Sequence, residues 1–136
     1  MKIKICKQYS VFLENRVGAL AELCKLISDQ EINLLAICAI DTVEEAVLRI
    51  VAEDALGALA ALKSAGFRVV ETDVLLVELK NTPGATGRMA TRLARAGINI
   101  DYIYASAHPE GKKAYRILRT HQIGEALMTL EGGDDD

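Results

Sequence analysis

The sequence repeats itself once at a nearly constant spacing, and this duplication constrains the fold more than any other feature. The motif Asn-x-x-Gly-Ala occupies residues 15–19 and returns at residues 81–85, and the pair Ile-Asn occupies residues 32–33 and returns at residues 98–99. Both offsets are 66 residues. From Arg49 onward the offset becomes 67, which indicates one inserted residue in the second copy. A repeat of this length is long enough for one small α+β domain.

Hydrophobic periodicity predicts the same kinds of element in both copies. Residues 8–13 alternate between polar and apolar side chains, as in a half-buried strand, and apolar residues between 17 and 27 recur every three or four positions, as in a helix. The predicted elements of the first copy are strands at 8–13, 34–40, 46–51 and 67–70 and helices at 17–27 and 55–65. Those of the second copy are strands at 74–79, 100–107 and 114–118 and helices at 86–96 and 123–130.

This βαββαβ order predicts an α+β fold of two ferredoxin-like modules in tandem, with antiparallel sheets side by side and helices on one face. The first module is assigned to residues 1–72 and the second to residues 73–136. The fourth strand of the second module is missing, because Gly66, which precedes that strand in the first copy, corresponds to Gly133 near the end of the sequence. Either this module is shortened or another strand covers the open sheet edge.

Composition argues against several classes of protein. The net charge of −3 disfavours a nucleic-acid-binding protein, which would carry clustered Lys and Arg residues. No apolar run approaches the roughly 20 residues that cross a bilayer, and no signal-peptide pattern precedes the first strand. The three cysteines are widely spaced without a CxxC pair, so we expect reduced thiols, no metal site, no cofactor and a cytoplasmic location.

Catalytic motifs are also missing from the sequence. Neither His108 nor His121 has an acid or a nucleophile at a recognisable spacing. The sequence contains no phosphate-binding loop, nucleophile elbow or dinucleotide-binding motif. The chain is therefore predicted not to be an enzyme. The one enzymatic alternative is a small hydrolase, because acylphosphatases share the βαββαβ order, but only Arg16 comes near their phosphate-binding arginine.

The two repeated loops are candidates for ligand binding. Each connects a strand to the start of a helix, where glycine lets the backbone approach a ligand and unpaired N–H groups attract a carboxylate. Asn33 and Asn99 open each second strand, which we expect to lie close to the same loop, and their amides offer both a donor and an acceptor. Asp101 suits an ammonium group in the second copy, while Arg16 suits a carboxylate in the first. The structural alternative is that these asparagines and glycines only build turns.

With strand, Asn-x-x-Gly-Ala, helix, Ile-Asn and strand repeated in register, the sequence resembles the ACT-domain family, and most of all its tandem members without an attached enzyme. The resemblance covers residues 8–71 and 74–131. It implies a regulatory protein that binds an amino acid at an interface between two ACT modules. The ligand-binding residues that it implies are Asn15, Arg16, Val17, Gly18, Ala19, Asn33, Leu34, Asn81, Pro83, Gly84, Ala85, Asn99, Ile100 and Asp101. Val17 stands where the family often has proline.

The expected function is to sense a free amino acid and to transmit the signal through protein contacts. Residues 34–40 are apolar on both alternating faces, so both faces of this strand should be covered. We expect helices on one face and a second copy of the chain on the other, in a homodimer. The alternative is a regulatory or interaction subunit of a metabolic enzyme that needs no ligand.

Overall fold

The computed structural model describes residues 1–41, 45–107 and 111–133, which contain six strands and four helices. In chain order these are β1 (Lys2–Glu14), α1 (Ala19–Asp29), β2 (Leu34–Asp41), β3 (Glu45–Ala52), α2 (Ala55–Ser64), β4 (Val69–Lys80), α3 (Ala85–Arg95), β5 (Tyr102–Ala107), β6 (Lys113–Arg119) and α4 (Ile123–Glu131). This order confirms the predicted α+β class with two tandem ferredoxin-like modules.

The chain forms two compact units, and the strands β1 and β4 are each divided between them. The N-terminal unit comprises Lys7–Thr72, and the C-terminal unit comprises Met1–Cys6 together with the residues from Asp73 onward. The Met1–Cys6 segment of β1 provides the strand next to β4 in the C-terminal unit. The sheet edge that the sequence left open is therefore covered by another strand of the same chain.

The strand β4 is continuous where the sequence predicted two strands separated at residues 71–73. These three residues, Glu-Thr-Asp, are polar but include neither glycine nor proline, so nothing forces a turn. The end of the first copy and the start of the second are thus one strand of 12 residues.

In the N-terminal unit the strand order is β2-β3-β1-β4, and both helices pack on one face of the sheet. The pairs β1–β3 and β2–β3 are antiparallel. Every second residue of β1 faces the helices, as a period of two requires. The largest part of this core consists of Tyr9, Val11, Leu13, Leu23, Ile27, Leu48, Ile50, Ala58 and Leu62.

In the C-terminal unit the strand order is β1-β4-β6-β5, and the core is built from the equivalent positions. Met1 and Ile3 pack against this core from the β1 segment. The buried members are Leu75, Val77, Leu79, Met89, Leu93, Leu118, Ala126 and Leu130, together with Ala85 and Ile98. The duplication seen in the sequence therefore extends to the packing of the interior.

Strand register corrects the size of the insertion between the copies. Tyr9 pairs with Ile50, whereas Leu75, which follows Tyr9 by 66 residues, pairs with Leu118. Because Leu118 follows Ile50 by 68 residues, the connection between the second and third strands is two residues longer in the second copy, not one. Neighbouring residues of a strand point to opposite faces, so the sequence match at an offset of 67 in this strand pairs side chains of opposite orientation.

None of the helices in the described ranges is long and apolar enough to cross a membrane. Cys6, Cys24 and Cys38 are free thiols. Burial raises the pKa of the Cys6 thiol, which makes its thiolate form less accessible. Among the described residues no group of His, Cys, Asp or Glu side chains is arranged to hold a metal ion.

Candidate functional site

The loop after the first strand of each unit ends on a glycine in the left-handed region. Gly18 (φ +87°) and Gly84 (φ +85°) are the N-cap residues of α1 and α3, and neither helix start carries a side-chain capping bond. Glycine is the residue that adopts this conformation without strain. The first turns of both helices therefore present backbone N–H groups that no capping side chain covers, which is a geometry suited to a carboxylate.

The asparagines that begin these loops hold them to the neighbouring hairpin. The side-chain amide of Asn15 donates to Asp41 Oδ1 at 3.1 Å, and that of Asn81 donates to the Gly111 carbonyl at 2.9 Å. The Asn81 backbone N–H donates to the Lys112 carbonyl at 2.8 Å. Both asparagines thus fix the loop conformation, which is the structural role that the sequence left as an alternative.

The N-terminal loop has its charges paired within the loop and the first helical turn. Arg16 forms two bonds with the Glu22 carboxylate, at 3.2 and 2.7 Å, and a third with Glu14 at 3.2 Å. Hydrogen bonding and the charge of Arg16 lower the pKa of Glu22, while Glu22 in turn raises the pKa of Arg16. The negative charge that the start of α1 attracts is therefore supplied by the chain itself.

The C-terminal loop has the opposite charge at the same point. Arg88 occupies the position of Glu22, and Thr82 replaces Arg16. The Arg88 guanidinium donates to the Pro83 carbonyl at 3.4 Å, and its Nη1 lies 2.7 Å from the place where a Cβ on Gly84 would be. A cation thus lies beside the uncapped start of α3, so this loop is better suited to a carboxylate than its counterpart.

Four of the residues implicated by the sequence face the interior. Ala19 and Ala85 are buried at the first position of their helices, and Leu34 and Ile100 pack against the two cores. Their role is packing. By contrast, Val17 is 100% exposed, and Pro83, Gly18 and Gly84 are exposed beside it in the equivalent loops.

The openings of the second strands do not lie near these loops, which overturns the expected arrangement within a module. Lys80, next to the C-terminal loop, pairs with Lys113 at the start of β6, whereas Tyr102 at the start of β5 pairs with Arg119 at the end of β6. Because β5 and β6 are antiparallel, Asn99 and Asp101 are at the opposite end of the sheet from the loop. The first and second strands of such a module run parallel, so the end of one never meets the start of the other.

A polar network at this opposite end includes a histidine that sequence reasoning treated as unpaired. His121 Nδ1 lies 2.6 Å from Asp101 Oδ2, and the Asn99 amide donates to Asp101 Oδ1 at 3.1 Å. Gln122 accepts from the Asn99 backbone N–H at 3.2 Å and donates to the Gly97 carbonyl at 3.3 Å. Antiparallel pairing of β5 with β6 was the signal that connects residue 101 to residue 121. The other histidine, His108, lies outside the described residues.

Two alanine substitutions distinguish the conformational role of the loop glycine from the cost of glycine in a helix. Gly84→Ala is expected to destabilise the protein by about 1–2 kcal/mol, because its φ of +85° strains any residue with a Cβ. Gly87→Ala, inside α3 and with open space around its Cβ, is expected to stabilise by about 0.5–1 kcal/mol. Thermal melts of the two variants should therefore move in opposite directions, and parallel shifts would contradict the assignment.

The fold and the repeated loops define a tandem pair of ferredoxin-like modules whose first helices each open on an uncapped glycine. A family model described as an ACT domain pair matches residues 3–129. The chain therefore belongs to the ACT-domain family, whose members are regulatory rather than catalytic modules and bind amino acids. This confirms the resemblance drawn from the two motifs.

Solved structures support the same fold. A protein from Bacteroides thetaiotaomicron is 31% identical with a TM-score of 0.87, over 96% of this chain and 89% of that chain. The ligand-free regulatory subunit of aspartate kinase from Thermus thermophilus is 16% identical with a TM-score of 0.71, over 97% of each chain. The regulatory subunit of aspartate kinase from Thermus flavus is 18% identical with a TM-score of 0.63, over 97% of this chain and 96% of that chain. No curated protein matches the sequence.

Proposed function

We propose that this protein is a cytoplasmic sensor of a free amino acid that signals through protein contacts as a homodimer. Its membership of a family of amino-acid-binding regulatory modules supports a ligand of this class. The observation that carries the proposal is the start of α3, where a left-handed glycine, an uncapped first turn and Arg88 come together. The free thiols agree with a reducing compartment.

The ligand carboxylate is assigned to the loop at residues 81–85, with Arg88 as its counter-charge. The equivalent loop at residues 15–19 is less favourable, because Glu22 already lies at the start of α1 and repels a second carboxylate. Asn33 with Leu34, and Asn99 with Ile100 and Asp101, form a second candidate surface at the other end of each module. A single ligand contacts both kinds of surface only where different modules meet.

Energetics require more than the helix terminus. A dissociation constant of about 10–100 μM, adequate for an abundant metabolite, corresponds to about 5.5–7 kcal/mol. A carboxylate at a helix start contributes about 0.3–2 kcal/mol. The remainder must come from Arg88 and from burial of the ligand side chain, which favours a site at an interface over an open loop.

Exposed apolar side chains on β2 support the homodimer. Ile37 is 46% exposed, and Ile40 is also exposed on this strand. Covering them requires another surface, and a second copy of the chain supplies one. The ligand would then act by linkage, since it stabilises whichever arrangement of modules binds it more tightly.

A thermal-shift screen against the twenty amino acids, followed by calorimetry, tests the proposal. A true ligand at about 100 times its dissociation constant should add about 2.7 kcal/mol of stability, a shift of several degrees. Arg88→Ala and Gly84→Val should abolish the shift, whereas Arg95→Ala, an exposed arginine of the same helix, should keep it. Loss of the shift in Asp101→Asn but not in Arg88→Ala would assign the ligand to the second surface instead.

The alternative function is a ligand-independent regulatory subunit of a metabolic enzyme. The Thermus proteins of similar fold are described as regulatory subunits of aspartate kinase. Twenty flat thermal-shift traces, with co-purification of an enzyme whatever amino acid is added, would favour this alternative. A clear amino-acid hit would exclude it.

A further inference from the structure

The two units carry opposite charges at one pair of structurally equivalent positions. In the N-terminal unit Glu14, the last residue of β1, pairs across the strands with Glu45. In the C-terminal unit Lys80, the last residue of β4, pairs in the same register with Lys113. Like charges directly opposite each other on neighbouring strands are unfavourable. The same backbone positions therefore hold an acidic pair in one unit and a basic pair in the other.

Neighbouring residues extend each charge. Asp41, whose carboxylate accepts from Asn15, adds to Glu14 and Glu45, and we call these three residues the acidic end. Lys2 and Lys112 line the same open cleft of about 640 Å³ as Lys80 and Lys113, and we call these four residues the basic end. All seven side chains belong to residues exposed to solvent.

Counter-charges within the chain are too few to neutralise either end. Arg16 contacts Glu14 at 3.2 Å but is shared with Glu22, and Arg68 lies 3.6 Å from Glu45. In the basic end, Glu78 lies 2.9 Å from Lys113 and is the one carboxylate that lines the cleft. Exposed pairs of this kind screen the charge only partly.

We propose that the basic end of one chain docks against the acidic end of a second copy of the same chain. Both ends are built on the same module scaffold, so equal ends of two chains would bring like charges together, whereas unlike ends attract. Each chain carries one end of each kind, so two chains related by a two-fold axis make two identical contacts. The apolar residues of β2 contribute area, and the charged ends decide which unit meets which.

A second copy fits this surface better than the other anionic partners. A nucleic acid would be repelled by the acidic end and by a chain with a net charge of −3. A small anion would account for the lysines but not for the acidic pair at the equivalent positions of the other unit. The docking inference rests on the proposed homodimer but not on the identity of the ligand.

Charge-swap variants of the full chain test the docking. Glu14→Lys with Glu45→Lys makes both ends basic, and Lys80→Glu with Lys113→Glu makes both ends acidic. Each double variant alone is expected to self-associate at least about tenfold more weakly than the wild type in sedimentation equilibrium at low salt. An equimolar mixture of the two should recover a heterodimer of wild-type affinity, and the variant with all four changes should recover the homodimer. Salt should weaken every restored dimer.

Matched reversals at Lys63 and Arg95, two exposed helix residues away from both ends, control for net charge and should leave association unchanged. Thermal melts check that each variant is folded. A wild-type monomer, double variants that dimerise as the wild type does, or a mixture that fails to recover the dimer would each overturn the inference. Calorimetry with the amino acid identified by the screen reports separately on the proposed function, so that failure of one does not imply failure of the other.

Discussion

Leu93→Ala is expected to lower the free energy of unfolding by about 3–5 kcal/mol. Leu93 lies in α3 with 0% of its surface exposed, packed in the core that α3 and α4 form over the sheet of the C-terminal unit. Truncation removes apolar contacts and leaves a cavity that a close-packed interior refills only in part. A loss of this size is a large fraction of the stability of a small domain. Urea denaturation followed by circular dichroism measures it.

The matched control is Met128→Ala, on α4 of the same unit. Met128 is 76% exposed, so its truncation should change the unfolding free energy by no more than about 0.5 kcal/mol. Because the chain contains two compact units, the denaturation curve is fitted with and without an intermediate before free energies are compared. A loss below about 1 kcal/mol for Leu93→Ala would show that this position is not packed.

Elements with a strict period were predictable from the sequence, and elements without one were not. The alternation in β1 correctly places Tyr9, Val11 and Leu13 on the buried face. In α2 the same reasoning chose Leu56 as an inward residue, yet it is 79% exposed, while Ala58 and Leu62 are buried. This helix is made almost entirely of alanine and leucine, so hydrophobic periodicity does not distinguish its faces.

The candidate site was predictable in its parts but not in its arrangement. The repeated loops are where the motif placed them, because glycine at a helix start has a local cause. That Asn99 lies far from its loop, and that His121 contacts Asp101, depend on strand direction and register, which are properties of the assembled sheet. The opposite charges at Glu14 and Lys80 were visible in the duplication, but their meaning needed the cross-strand partners.

The division of β1 is the feature that local sequence conveyed least. Residues 2–6 continue the alternation of the strand, and a periodic strand does not reveal which sheet it will join. Only the missing fourth strand of the second copy signalled that a strand must come from elsewhere. The exchange of Met1–Cys6 into the C-terminal unit resolves that signal.

Removing residues 1–6 is expected to destabilise the C-terminal unit by about 3–6 kcal/mol and to spare the N-terminal unit. The deletion takes away the contacts of Met1 and Ile3 with the core, each worth about 1–2 kcal/mol for a partly buried side chain, and several backbone hydrogen bonds worth about 0.5–1.5 kcal/mol each. It also exposes one edge of β4. Hydrogen exchange should show loss of protection in β6 and the second half of β4, with β3 still protected.

Transferring the deleted segment to the other end of the chain separates the strand from its connection. In the N-terminal unit, β4 begins at Val69, five residues after α2 ends at Ser64. The six residues attached after Gly133 follow α4 at a similar distance, and should restore protection in β6 because the strand returns to the same edge in the direction that the βαββαβ order provides. A scrambled segment of the same composition is the control. If deletion left exchange in β6 unchanged, or if the scrambled segment rescued it equally well, residues 1–6 would not be the fourth strand of this unit.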